Sequence, residues 1–371
     1  MKFFEYKPRR DVVFVLGAGA SHPDGVPLQK HILPMLLSDE NAEIKNSLIG
    51  KEVHKFIHEN FYISHEENIY PQLEAVFGFL DYFIQQNESL SFYYTNSKLI
   101  NIKEYLIKLI HHIVNKETDK PSKYYHDFWD IIINENSNVS IITLNYDNLL
   151  EHSFAEFYKK KIGFIDYCTH LMNYEKGDKL KEFNFWINPR QPIKSKEFIN
   201  PVSFKVLKVH GSLNWKYCNC CNQVLLTTWD RKIDLEHGKL IGIKHPDGEE
   251  YEYVCPIDGT EFQTLIMPPS FVKNWNHPIL SQLFNEASRE IRVAKKIVFI
   301  GYSLSNADIN IKALLKKHVN DDKELIIINP KKEKKLKTNY LSLTKNIRFV
   351  KISFEELVTK KTILKKILTT N

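Results

Sequence analysis

Five short groups of residues have types and spacing suited to chemistry, and each follows an apolar run. Gly17-Ala-Gly-Ala-Ser21 comes directly after Val12–Leu16. Two glycines at a strand-to-helix turn let backbone approach a pyrophosphate, and amides at a helix start favour negative charge. The spacing departs from GxGxxG because position 22 is His, so a tight turn without ligand is the alternative. Thr143-Leu-Asn-Tyr-Asp147 closes the run from Val139. The Asn145 amide both donates and accepts, which suits ribose hydroxyls or a water. Asp147 is placed for function or, equally, for capping the next helix. Lys208-Val-His-Gly211 sets His210 at another strand end, where it is either a proton acceptor near neutral pH or a structural histidine. Gly301-Tyr-Ser-Leu-Ser-Asn-Ala-Asp308 and Asn329-Pro330 follow two further runs. Small and polar residues there admit a nucleotide and bond its ribose or adenine, or read as plain loops.

The elements that must position these groups alternate. Apolar runs Val12–Leu16, Ile141–Leu144, Ile297–Ile300 and Leu325–Ile328 have the composition of strands buried on both faces. Helical spacing falls between them: Pro27–Leu37 (with Pro34 inside), Asp147–Tyr158, Ala307–Lys317 and a Lys-rich stretch after Pro330. Residues 204–210 and 347–352 read as further strands, the last followed by a terminal helix. This rhythm predicts a Rossmann-like α/β fold, a parallel sheet with helices on both faces. The long helical stretch, with periodic segments at Gln72–Phe83, Lys98–Val114 and Tyr124–Ile133, reads as an insertion. The region from Tyr217 to Phe262 reads as short strands with turns at Asp247-Gly248 and Asp258-Gly259.

Four of the five cysteines lie between Cys218 and Cys255, and the fifth is Cys168. Without a secretion signal, that clustering argues for a metal module rather than disulfides. No apolar run reaches the roughly 18 residues a membrane span needs. Together these predict a cytoplasmic protein with no membrane partner. The net charge of +6 is unevenly spread. Lys331, Lys332, Lys334, Lys335 and Lys337 form one cluster, and Lys360, Lys361, Lys365 and Lys366 another. Such patches attract nucleic acid or acidic partners, or are solvated helix faces.

The order of the motifs resembles the sirtuin family in its divergent bacterial NAD-hydrolase branch, associated with antiphage defence. The matching residues are Gly17-Ala-Gly-Ala-Ser21, Thr143-Leu-Asn-Tyr-Asp147, His210-Gly211, Gly301-Tyr-Ser-Leu304 and Asn329, spread over nearly the whole chain. The resemblance implies one sirtuin-like domain over 1–371. Its NAD-binding core would be 11–37, 137–215 and 263–371, with a helical insertion at 38–136 and a Cys-containing module at 216–262. It implies that Gly17, Ala18, Gly19 and Ser21 contact NAD+ phosphates. Asn145 would act at the ribose, Asp147 near the carboxamide, and His210 as general base. Gly301, Ser303 and Asn329 would line the ribose and adenine part of the pocket. Zinc is implied at Cys218, Cys221, Cys255 and Asp258, where Asp258 replaces a thiolate; a degenerate ribbon held by packing is the alternative.

Two departures steer the function. Protein-deacylating sirtuins follow the glycine turn with Gly-Ile-Pro-Asp-Phe-Arg, whereas this chain has Gly25-Val-Pro-Leu-Gln29. The family's peptide-flanking Val/Phe-Gly-Glu stretch is replaced by Met267-Pro-Pro-Ser270. Both favour a regulated NAD+ glycohydrolase, yielding nicotinamide and ADP-ribose, over a deacylase or ADP-ribosyltransferase. A non-catalytic nucleotide sensor, or a nucleic-acid-associated assembly module, is the reading from another class. The resemblance further suggests a homo-oligomer and a ring-forming ATPase partner.

Overall fold

Continuous apolar runs become strands here because both faces of each strand are covered. In the sheet Val12 to Leu16, Val139 to Thr143 and Ile297 to Ile300 are all buried. The computed structural model describes residues 6–118, 120–173, 186–187, 201–226, 232–243, 250–252, 254–255, 258–271, 277–305, 308–331 and 334–369. The turn expected at Asp247-Gly248 lies outside them, as do Ala307 and Lys332.

Eight strands form one sheet in the order Ile347–Val350, Glu324–Ile328, Ala294–Ile300, Arg10–Leu16, Val139–Thr143, Val202–Lys208, Gly163–Asp166, Trp186–Ile187. Every neighbouring pair is parallel. Side chains alternate between the two faces. Phe14 and Phe204 meet the helix Lys123–Glu135, with Phe14–Phe128 centroids 5.1 Å apart and Trp129–Phe204 5.2 Å apart. On the other face Ser140 and Lys205 reach Glu290 of the helix Pro278–Val293, at 2.6 and 2.8 Å. Arg10 adds a third bond to that carboxylate at 2.7 Å.

The chain divides into two compact units: 1–26, 120–212 and 276–371, which holds the sheet, and 27–119 with 213–275. These boundaries differ from the sequence expectation in three places. The Lys123–Glu135 helix groups with the sheet because its aromatic face packs on Phe14 and Phe204. Helix Gln29–Leu37 groups with the helical unit, against Leu73–Gln86 and Asn96–Glu117. Strand Gln263–Ile266 lies beside Gly211–Tyr217, which pairs with Val224–Leu226. A second antiparallel sheet joins Lys232–Asp234, Lys239–Ile243 and Glu250–Glu252.

The stretch read as one helix over 147–158 is two short helices, Leu149–His152 and Ala155–Lys159. Ser153 ends the first: its hydroxyl donates to Leu149 O at 2.7 Å and to Ser122 O at 3.2 Å. Side-chain bonds of this kind compete with the helical ladder. The terminal helix is also double, Phe354–Thr359 and Thr362–Leu368, broken where Lys361 takes φ +51°.

Candidate functional site

In an open parallel sheet ligands gather beyond the carboxyl ends of the strands, at the point where strand order reverses. That point lies between Arg10–Leu16 and Ala294–Ile300, because later strands run outward on both sides. Gly17, Gly19 and Gly301 meet there. A Cβ on Gly19 would stand 2.8 Å from Gly301 Cα, and one on Gly17 2.7 Å from Tyr302 Cα. Gly301 has φ +61° and would place a Cβ 2.4 Å from Ala20 N. The glycines are thus required by two backbone turns in contact, before any ligand is considered. Gly17 and Gly19 amides already donate to Ile300 O and Gly301 O at 3.0 and 2.9 Å, and Ala20 N donates to Gly17 O. The expected set of phosphate-facing amides is reduced accordingly. Ala18 opens a helix of only four residues, and Ser21 is fully buried.

Asn145 and His210 follow two neighbouring strands of the sheet. Strands Val139–Thr143 and Val202–Lys208 pair with Thr143 opposite Lys208, and each candidate lies two residues further on. Asn145 is buried, and its Nδ2 donates to Gly17 O at 3.1 Å and to Ser21 Oγ at 3.0 Å. Both amide hydrogens therefore hold the glycine turn, and the amide oxygen is left as the accepting end. Ser21 Oγ also meets Tyr125 OH at 2.9 Å.

Asp147 is buried, and its Oδ1 accepts from Leu149 N at 3.2 Å, so the capping role is present in part. Burial pushes its carboxyl up from the usual range, against the opposing Lys208 charge. Asp24 behaves likewise: burial raises it, while Ser122 Oγ donates to it at 2.8 Å. Lys208 is fully buried and donates to Asp147 O at 2.6 Å and Glu151 Oε1 at 2.5 Å.

His210 is buried, with Nε2 4.0 Å from Asp308 Oδ1 and its ring 6.4 Å from that of Tyr146. Asp308 is held in turn by Tyr302, whose hydroxyl donates to Oδ2 at 2.9 Å. An imidazole beside an anchored carboxylate is suited to accept a proton, because the resulting cation is stabilised. Gly211 follows with φ +80°. Ser303 is exposed, and Asn329 is half-buried with its Oδ1 accepting from Lys331 N at 3.0 Å. These two lie across the reversal point from Asn145 and His210.

In the other unit Cys218, Cys221, Cys255 and Asp258 come together, with ligand atoms within 4.8 Å of one another. Cys221 and Cys255 sulfurs are 3.7 Å apart, and Cys218 Sγ is 3.3 Å from Asp258 Oδ2. Tetrahedral zinc with Zn–S of about 2.3 Å requires S···S near ~3.8 Å and S···O near ~3.6 Å. The set fits. Amides of Cys220 and Cys221 point at Cys218 Sγ at 3.4 and 3.5 Å, as they would toward a thiolate. The Thr260 amide, 2.9 Å away, leads the bonds that hold the Asp258 carboxyl down to about 2.

Sequence reasoning quoted Asp308 and Lys208 within its motifs without giving either a role, and passed over Tyr125 and Asp24. Asp308 stands at the N-cap of Ile309–His318, but its side chain makes no cap bond and serves Tyr302 instead. Lys208, at the end of a strand that is buried on both sides of it, was the visible signal of a buried charge.

The chain matches the SIR2-like domain family over residues 139–350. Among solved structures it is similar to a Sir2 homologue mutant in complex with ADP-ribose, at 13% identity over 98% of this chain and 96% of that one, TM-score 0.45. It is also similar to a Sir2 homologue–NAD complex, at 13% identity over 97% and 91%, TM-score 0.48. No curated protein matches the sequence.

Proposed function

The chain belongs to the SIR2-like domain family, and from that premise we propose that it cleaves the nicotinamide–ribose bond of NAD+. The observation that supports this is that Asn145 and His210 each follow one of two paired strands, two residues past the Thr143–Lys208 pair, with Asp308 Oδ1 4.0 Å from the imidazole. In the reaction the bond from ribose C1′ to the pyridinium nitrogen breaks, and its electron pair leaves with neutral nicotinamide. Water forms the new bond at C1′ and gives up one proton. His210 accepts that proton, and the Asn145 oxygen accepts a hydrogen bond that orients the water. Its amide hydrogens meanwhile hold the Gly17 turn in place. Products are nicotinamide, ADP-ribose and a proton. Alignment of this kind lowers a barrier by several kcal/mol, on the order of ordinary proximity effects.

Hydrolysis is favoured over acyl transfer because Gly25-Val-Pro-Leu-Gln29 lacks the Phe and Arg of deacylases, and Met267-Pro-Pro-Ser270 replaces the peptide-flanking stretch. As an NAD+-depleting effector of antiphage defence the protein requires a gate, through self-association or a ring-forming ATPase. The zinc fitted by Cys218, Cys221, Cys255 and Asp258 would be structural, since four protein ligands leave no open position.

The test is incubation of the purified chain with NAD+, with product chromatography and light scattering. Wild type is expected to release nicotinamide and ADP-ribose without peptide, and His210→Ala and Asn145→Ala to lose at least ~100-fold. Release that depends on an acylated peptide would establish the deacylase instead. No release in any assembly state would overturn NAD+ cleavage.

A further inference from the structure

Helix Leu48–Asn60 buries Ile49, Val53, Phe56 and Ile57, and carries two histidines, His54 and His58, four residues apart on one side. Both belong to the compact unit that lacks the large sheet, and neither takes part in the chemistry proposed above. Their rings are 6.3 Å apart, and the ring of His65 stands 6.0 Å from that of His58. We propose that His54, His58 and His65 bind a divalent transition-metal ion, zinc or copper, with none of the cysteines as ligand.

Imidazole nitrogen suits zinc and copper, and three imidazoles make a ligand set with one position left for water. A ligating ring gives one nitrogen to the metal while its other N–H is held by a neighbouring oxygen. His54 meets this condition. Its Nε2 donates to Leu36 O at 2.7 Å, and because a carbonyl only accepts, Nδ1 carries the lone pair. His65 Nδ1 lies 3.1 Å from Tyr70 OH; with the ring as donor there, the lone pair falls on Nε2. The turn that carries His65 is closed by Ser64 N to Ile69 O at 3.0 Å and Ile69 N to Ser64 O at 2.8 Å. The Asp39 carboxylate, bonded first to Lys45, also interacts with the His65 and His54 charges. Both rings thus lie within electrostatic reach of one acidic group, which would offset the charge of a cation.

Imidazoles that share a tetrahedral zinc, with Zn–N of about 2.0–2.1 Å, have ring centres roughly 5 Å apart. The rings here stand about 1 Å wider than that, a more open set than the cysteine cluster with its ligand atoms within 4.8 Å. His58 and His65 are exposed, so rotation about their side-chain bonds closes the difference. A set closed by rotation, and without thiolates, holds its metal more weakly than the cysteines do. Its metal is lost on gel filtration and returns on addition.

The experiment titrates the full chain, after gel filtration, with ZnCl2 by calorimetry and with CuCl2 by electron paramagnetic resonance. Wild type is expected to take one equivalent of zinc beyond any it retains, to show nitrogen hyperfine coupling to copper, and to gain Tm when zinc is added. His58→Gln and His65→Gln, both at exposed positions, are each expected to weaken that equivalent by at least ~10-fold, the loss that even an outer-shell change brings. His237→Gln, at an exposed histidine paired with Asp234, is expected to leave it unchanged. Absence of a further equivalent overturns the proposal, as does one that His58→Gln and His65→Gln bind as tightly as wild type.

Discussion

Replacing Lys208 by Met isolates what the buried ion pair beneath the site contributes. At 2.5 Å the Lys208–Glu151 attraction is about 7 kcal/mol for an effective dielectric near 20. Desolvation of two fully buried charges offsets most of that, so the pair itself adds little net stability. Removing one partner is different. Lys208→Met leaves a buried, unpaired carboxylate, at roughly 3–5 kcal/mol, and strips the donor from Asp147 O, at roughly 1 kcal/mol more. Glu151 Oε2 already lacks a hydrogen-bond partner among the described residues, so nothing local compensates. Glu151→Leu alone costs a similar 3–5 kcal/mol by stranding the ammonium. The double variant leaves only the Asp147 carbonyl short of a donor, at about 1–2 kcal/mol. Urea unfolding of the four proteins is therefore expected to give a coupling of at least ~3 kcal/mol, with the double variant more stable than either single one. Additive losses would refute the reasoning, because they would mean that neither charge is stranded by loss of the other.

Three further outcomes are expected. Gly301→Ala should unfold the turn or abolish ligand binding, since φ +61° and a Cβ 2.4 Å from Ala20 N leave no room; Gly259→Ala, at φ +73° with open space around it, should cost only about 1–2 kcal/mol in thermal unfolding. Elemental analysis should find one zinc per chain, lost in Cys255→Ser, and Asp258→Cys should slow its removal by chelator, because thiolates are the preferred structural ligands. His152 should make stability fall with acid: burial, then the Lys208 charge, pushes its imidazole down to about 4, below the unfolded value near 6.5. The unfolded chain therefore binds the proton first. The stabilisation is full above about pH 6.5 and is lost between 6.5 and 4. It is at most about 3 kcal/mol and less for a half-buried ring. His152→Gln should flatten a Tm series across that window.

The sheet was legible because doubly buried parallel strands leave unbroken apolar runs, and four such runs are its centre. Gly163–Asp166 and Trp186–Ile187 were not, being too short for periodicity to register. The strand expected over 204–210 is Val202–Lys208, which leaves His210 in the following turn. For the site, position just past a strand end was the signal that singled out Asn145, Asp147 and His210. Their partners were not visible. Asp308 looks like a helix cap, yet its side chain accepts from Tyr302 instead; Ser122 caps Lys123–Glu135 and also donates to Asp24. Such double duty depends on three-dimensional neighbours more than ninety positions away in the case of Ser122, and no local pattern encodes it. The glycine turn was read as a close backbone approach to a pyrophosphate or as a tight turn; the group that approaches it in the structure is Gly301.

The distribution of charge bears on the chemistry proposed. Asp24, Asp147 and Glu151 are buried in one unit, and Lys208 is paired to only the last of them. Burial raises Asp24 and Asp147, so holding them ionised costs folding energy. Cleavage of NAD+ begins with a cationic nicotinamide ring and moves that charge onto the ribose as the bond breaks. Carboxylates equally near both would stabilise substrate and transition state alike and leave the rate unchanged. Acceleration requires a carboxylate nearer the ribose than the ring. Lys208 holds the Asp147 carbonyl and the Leu149 amide holds its carboxylate, so the position of this group is fixed by the fold. The buried lysine then has a role beyond neutralising Glu151: it also anchors the Asp147 backbone, and with it the carboxyl two residues past Asn145.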